Sequence, residues 1–129
     1  LSTQTVLEGG ESLLLSEVVE PPAQMVDSLT ALFKTLKTVR RAFLCSIKER
    51  ADAPANLLIG IEAEGDIEAI IQTTGSVATD TLPGDEPIDI CQVVEGEKGI
   101  SHFMIAHITP FYEKRWGSFL RDFKQNRII

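Results

Sequence analysis

Side chains able to do chemistry are sparse in this chain, and their spacing suits none of the common reactions. The densest carboxylates are Asp80, Asp85, Glu86 and Asp89. Hard oxygen ligands of this kind hold Ca²⁺ or Mg²⁺ when a loop wraps them around the ion. The spacing is not that of an EF-hand loop, and Pro83 and Pro87 stiffen the turn, so we read a solvated acidic loop. His102 and His107 stand five apart, not the four that put two ligands on one helix face. Cys45 and Cys91 each sit inside an apolar, strand-like run and share no CxxC or CxxH spacing, so zinc is not expected. No neighbouring His stands ready to lower the Cys45 pKa, which makes that thiol core rather than nucleophile. Gly75-Ser76 has neither the phosphate-loop nor the nucleophile-elbow pattern. We therefore expect no catalytic residue, no metal, no cofactor and no enzymatic activity carried by this domain.

What remains is a segment of unusual composition, residues 111–129. Tyr112, Trp116, Phe119, Leu120 and Phe123 recur at helical spacing, interleaved with Lys114, Arg115, Arg121 and Lys124. The segment holds five of the eight aromatic residues. We take Tyr112, Arg115, Trp116, Phe119 and Phe123 as a candidate interaction surface on a C-terminal helical tail. Such a tail packs on its own domain, or docks an upstream domain, a second copy or a partner protein. Asp122, Gln125 and the short length argue against a membrane-surface helix.

Charge is segregated along the 129 residues, which sum to −7. Residues 1–32 carry five acids and no base, and residues 33–50 carry six bases and one acid. Residues 51–97 carry eleven acids and no base, and residues 98–129 carry six bases and two acids. The long acidic region repels phosphate, so nucleic acid is not an expected partner. No apolar run approaches the ~20 residues that span a bilayer. Two cysteines without a framework spacing fit a reducing compartment. Position 1 is not Met, and we read the chain as a piece of a longer one.

The elements that must position these residues follow from periodicity. Residues 1–12 form a linker or a short leading strand that turns at Gly9-Gly10. Leu13–Val19 reads as a strand stopped by Pro21-Pro22. Pro22 suits the first position of a helix whose stripe is Met25, Val26, Leu29, Leu32, Phe33 and Leu36. Arg40–Glu49 and Leu57–Ala63 read as a hairpin. Asp66 caps a second helix with Ile67, Ile70, Ile71, Thr74 and Ala78 on one side. Ile88–Val94 is a fourth strand, and a helix from Gly99 ends before Pro110. The order is that of an α+β, ferredoxin-like βαββαβ sheet with helices on one face, followed by a helical extension. In that arrangement the strands run 4-1-3-2, and Cys45 and Cys91 lie ~14 Å apart on opposite edges, beyond disulfide reach. One sheet face then lacks helices, and apolar residues there, with Phe43, Leu44 and Leu58 as candidates, need a cover.

Several runs together, LLSEVVEPPAQMVDSLTALF, RRAFLCSI, NLLIGIEAEGD, LPGDEPIDICQV and PFYEKRW, resemble the C-terminal domain of the SseB family, the enhanced serine sensitivity proteins of enterobacteria. The likeness covers about Leu13 to Ile129, and its motifs are turn and core signatures. It implies a domain at 13–129, a cytoplasmic bacterial protein, a separate N-terminal domain outside this chain, and a link to serine tolerance. It implies no activity and no catalytic residue. We expect a non-catalytic interaction or regulatory domain that meets its own N-terminal domain, a protein partner or a second copy. The alternative is an amino-acid sensor of the ACT type, which shares the 4-1-3-2 sheet. The glycine-free stretch SEVVEPP weakens that alternative, because a ligand could not easily reach backbone N–H groups there.

Overall fold

Two neighbouring strands, β3 (Val39–Lys48) and β4 (Asn56–Ala63), form the centre of the sheet. Ala42–Cys45 and Leu58–Ile61 are buried without a break. Side chains alternate between the two faces of a strand, so unbroken burial requires cover on both. The computed structural model describes residues 3–114 and supplies that cover from two sides.

The chain starts with a hairpin, β1 (Gln4–Glu8) and β2 (Glu11–Glu17). Gly9 and Gly10 join them with φ of +58° and +85°. Two consecutive positive φ values make the tight turn whose twist matches the flanking strands. The leading residues are thus a strand and not a linker. Helix α1 (Ala23–Thr35) buries Met25, Leu29 and Phe33, as its stripe requires. Pro22 sits one place earlier than expected, as the N-cap, and its carbonyl accepts the Val26 N–H at 3.0 Å. Helix α2 (Ile67–Thr81) starts at Asp66, whose carboxylate accepts the Ala69 N–H at 3.2 Å. It buries Ile70, Thr74 and Ala78. Strand β5 (Ile88–Gln92), helix α3 (Ile100–His107) and the short β6 (Tyr112–Glu113) follow.

The class is α+β, as expected, and the succession βαββαβ is present from β2 to β5. The spatial order is not 4-1-3-2. The strands lie in the sequence β1-β2-β3-β4-β5, antiparallel throughout except for the parallel pair β4–β5. β2 pairs with β3 and not with β4, which leaves the second edge of β4 to β5, and β1 occupies the outer edge of β2. β6 joins the same edge of β3 as β2 does: β2 pairs Cys45–Lys48, and β6 pairs Arg41 and Ala42. Residues 112–113 are therefore strand and not the start of a helix. Cys45 and Cys91 are both free and sit two strands apart, with β4 between them.

The helices are not all on one face. α1 and α2 cover Ala42, Leu44, Ile59 and Ile61. α3 covers the other face, where Phe103 and Met104 pack with Leu15, Phe43, Cys45, Leu58 and Val93. This is the cover that the apolar side of the sheet demands. It is pinned at its start by two hydrogen bonds. Glu8 Oε1 accepts the Ile100 N–H at 2.9 Å, and Ser101 Oγ accepts the Val94 N–H at 3.0 Å. Gly99, at φ +78°, lets the helix begin this close to the hairpin, since a Cβ there would lie 2.8 Å from the Leu7 carbonyl oxygen.

Gly60 in β4 provides the seat for α3. A Cβ at this position would overlap the Met104 sulfur and come 2.6 Å from Val93 Cγ2. Met104 is fully buried and Val93 nearly so, so neither can move into solvent. Gly60→Ala should therefore lower unfolding stability by ~1–3 kcal/mol, the usual cost of overpacking. Urea titration of Gly60→Ala, Met104→Ala and the double variant checks this. The two losses should be less than additive, because Met104→Ala removes the clash.

Candidate functional site

On the face covered by α1 and α2, the helices reach β3, β4 and β5 but bury nothing on β1 or β2. Alternation explains what is left exposed. Val6 points under α3 and is buried, so its neighbour Leu7 points to the other face and is 70% exposed. Opposite Leu7 lies Ser12, and opposite Thr5 lies the half-buried Leu14. The hairpin thus presents an uncovered strip of sheet. A second large apolar residue, Val19 on the way into α1, is 71% exposed.

Beside this strip lies a groove of about 390 Å³. Its floor is Ser46 and Leu57, which face each other across the β3–β4 ladder. Val18, Glu20 and Pro22 form one wall, and Glu86 and Pro87 the other. Two prolines line it, Pro22 at the entry to α1 and Pro87 after the α2–β5 turn. Its two charged lining residues are carboxylates. A smaller depression of about 170 Å³ follows, lined by Glu17, Val18, Pro21, Val26, Leu44, Ile108, Thr109 and Phe111. Val18 lines both.

On the opposite face, Arg41 is clamped by Glu62. Nε and Nη2 donate to the two carboxylate oxygens at 2.5 and 3.1 Å. Glu95 lies 3.7 Å away, and the guanidinium sits 5.5 Å from the centroid of Phe43. The Glu62 hydrogen bond raises the Arg41 pKa against the cost of burial. Both charges are satisfied, so the pair clamps β3 to β4 and offers nothing to a substrate. The two residues face each other in the β3–β4 ladder.

Of the expected interaction surface, Tyr112 alone falls among the described residues. Tyr112 is half-buried in β6, its ring centroid 5.7 Å from that of Phe33. It is part of the core against α1 and not a free docking face. Arg115, Trp116, Phe119 and Phe123 lie outside the described residues. Asp80, Asp85, Glu86 and Asp89 are exposed, and Asp89 accepts from Asn56 Nδ2 at 3.3 Å. His102 and His107 are exposed on α3, with the His107 ring centroid 5.5 Å from that of Phe103 and tilted 44° to it. Among the described residues no three His, Cys, Asp or Glu side chains gather as a metal site. Leu7, Glu20 and Glu86 carry the visible surface features, yet nothing in their local sequence distinguishes them.

Residues 7–114, from the end of β1 to just past β6, match the SseB protein C-terminal domain. The chain belongs to the SseB C-terminal domain family. Protein SseB of Escherichia coli (strain K12) and Protein SseB of Shigella flexneri are each 79% identical to it over 129 residues. The match takes in 100% of this chain and 50% of each relative, so the chain spans about half the length of the curated relatives it matches. No solved structure matches the chain. The family match covers the groove and the uncovered hairpin strip from Leu7 onward.

Both thiols of this family member lie on the α3 side of the sheet. Burial pushes Cys45 up to about 12, with a smaller contribution from Cys91. Burial pushes Cys91 up to about 11, with Glu8 and Asp89 adding to it. A protonated, enclosed thiol is a poor nucleophile. A disulfide reagent at pH 8 should therefore label buried Cys45 at the rate of global unfolding, the partly buried Cys91 on the edge strand faster, and both promptly in denaturant. The native state holds these protons where the unfolded state, at about 9.0, releases them. Stability should thus be insensitive to thiol titration below pH 8 and fall as pH rises above 9. Denaturation at pH 8 and pH 10 should show a smaller fall for Cys45→Ala/Cys91→Ala than for the parent.

Proposed function

We propose that this chain is a non-catalytic interaction and regulatory module of a cytoplasmic protein linked to serine tolerance. The observation that carries the reading is the uncovered sheet strip on β1–β2, with Leu7 at 70% exposure. An apolar side chain held out on a rigid strand, in a sheet otherwise covered on both faces, is a ready contact for another folded body. The occupant we favour is the half of the longer relatives that lies outside this chain. It would join the chain at β1, next to the strip. Both thiols are free, which fits a reducing compartment. Among the described residues no helix is long and apolar enough to cross a membrane. The carboxylate-lined groove disfavours phosphate-bearing partners.

The ACT-type alternative rested on the link to serine tolerance and on a shared 4-1-3-2 sheet. The observed order is sequential, and no observation here favours that reading. Millimolar serine, or any other amino acid, should leave the melting temperature of the chain unchanged, since a ligand of the native state would raise it.

Leu7 offers the direct test. In this chain alone, Leu7→Lys should change stability by no more than ~0.5 kcal/mol, as at other exposed sites. In a protein carrying both halves, the same substitution should cost ~1–2 kcal/mol, the value of burying a leucine. Equal effects in the two backgrounds, measured by urea titration, would exclude the hairpin as the docking face.

A further inference from the structure

We infer that residues 115–129 of this chain dock in cis in the acidic groove between the β2–α1 and α2–β5 connections. The inference is independent of the hairpin reading, because it uses a different surface and a different occupant.

Charge complementarity is the first argument. Residues 3–114 hold eighteen acids and eight bases, whereas residues 115–129 hold one acid, Asp122, and four bases. The tail bases are Arg115, Arg121, Lys124 and Arg127. The groove presents Glu20 and Glu86, with Glu17 at the adjoining depression, and neither is lined by Lys or Arg. Opposite net charges on two parts of one chain attract at the distances a tether enforces.

Apolar chemistry is the second. Trp116, Phe119, Leu120 and Phe123 bring large apolar surface to the tail. Val18, Leu57, Pro22 and Pro87 offer apolar walls and floor to receive it. Aromatic side chains bring large apolar area, and Trp with Arg dominates the energy of many contact surfaces.

Reach is the third. The described chain ends at Lys114, whose N–H donates to the Arg40 carbonyl at 2.8 Å. The groove floor at Ser46 lies six positions further along β3, about 20 Å away at strand rise. β6 runs away from the groove, so the tail must turn back. Fifteen residues extend to at most ~50 Å, which leaves ample length for that return. The smaller depression, lined by Phe111, Val18 and Pro21, lies on the way.

Trp116 is the one tryptophan in the chain, so its fluorescence reports on the tail alone. In the 129-residue protein at low salt, Trp116 should emit at shorter wavelength than in denaturant and resist acrylamide quenching several-fold. Glu20→Lys/Glu86→Lys should red-shift the emission and raise quenching several-fold, with far-UV circular dichroism unchanged. Arg121→Glu/Lys124→Glu should do the same. Combining the two pairs, which swaps the charges, should restore protection. Solvent-exposed Trp116 in the parent protein would overturn the inference. So would protection that survives both reversals, which would place the tail elsewhere. Protection that depends on protein concentration would also overturn it, because the tail would then be seated on a second copy.

Discussion

The seat of Met104 on Gly60 is the contact the rest of the fold depends on. β4 carries apolar side chains on both faces, and a sheet centre of this kind is unstable unless both are covered. α1 and α2 cover one face. The other is left to an eight-residue helix, α3, too short to be stable alone. It holds because Gly60 lets it come close, and because Glu8 and Ser101 fix its first turn. The leading hairpin is therefore not an ornament on the sheet. It supplies the carboxylate that anchors the third layer.

The same arrangement creates the surface. By extending the sheet past β2, the hairpin reaches beyond the area that α1 and α2 can cover. One side of β1 packs under α3 through Val6, and the other is left open at Leu7. The groove forms between the β2–α1 and α2–β5 connections, where Pro22 and Pro87 line it. Anchoring α3 and exposing an apolar strip are thus two consequences of one added strand pair. On our proposals, the strip is where the domain is read by its surroundings and the groove receives residues 115–129, while buried Cys45 and the clamped Arg41–Glu62 pair serve the scaffold.

Much of this was legible in the sequence. The stripe through Met25, Leu29 and Phe33, the Asp66 cap and the β3–β4 hairpin each follow from local periodicity and local hydrogen-bond chemistry, and each appears as read. Strand order was not legible, because local periodicity does not say whether β2 pairs with β3 or with β4, and that choice decides which edge is left for β5. A weak hint, Gly9-Gly10, marked the leading hairpin. The face covered by α3 was legible as a need for cover but not as its identity, since Gly60 looks like any strand glycine until Met104 is placed over it. Tyr112 was misplaced for a related reason. Helical spacing of aromatics in residues 111–129 suggested one helix, whereas the open edge of β3 beyond the end of β2 draws residues 112–113 into the sheet. The candidate surface was illegible because Leu7, Glu20 and Glu86 are ordinary residues made notable only by what fails to cover them.

Native-state hydrogen exchange on the isolated chain tests the central claim most directly. If the doubly covered strand pair is the core and the hairpin an extension with one open face, amides of β3 and β4 exchange slowest, through global unfolding, and protection falls outward to β1. Protection of the β1 amides equal to that of β4 would contradict the account, for it would mean that the hairpin belongs to the closed core and leaves no face to be covered.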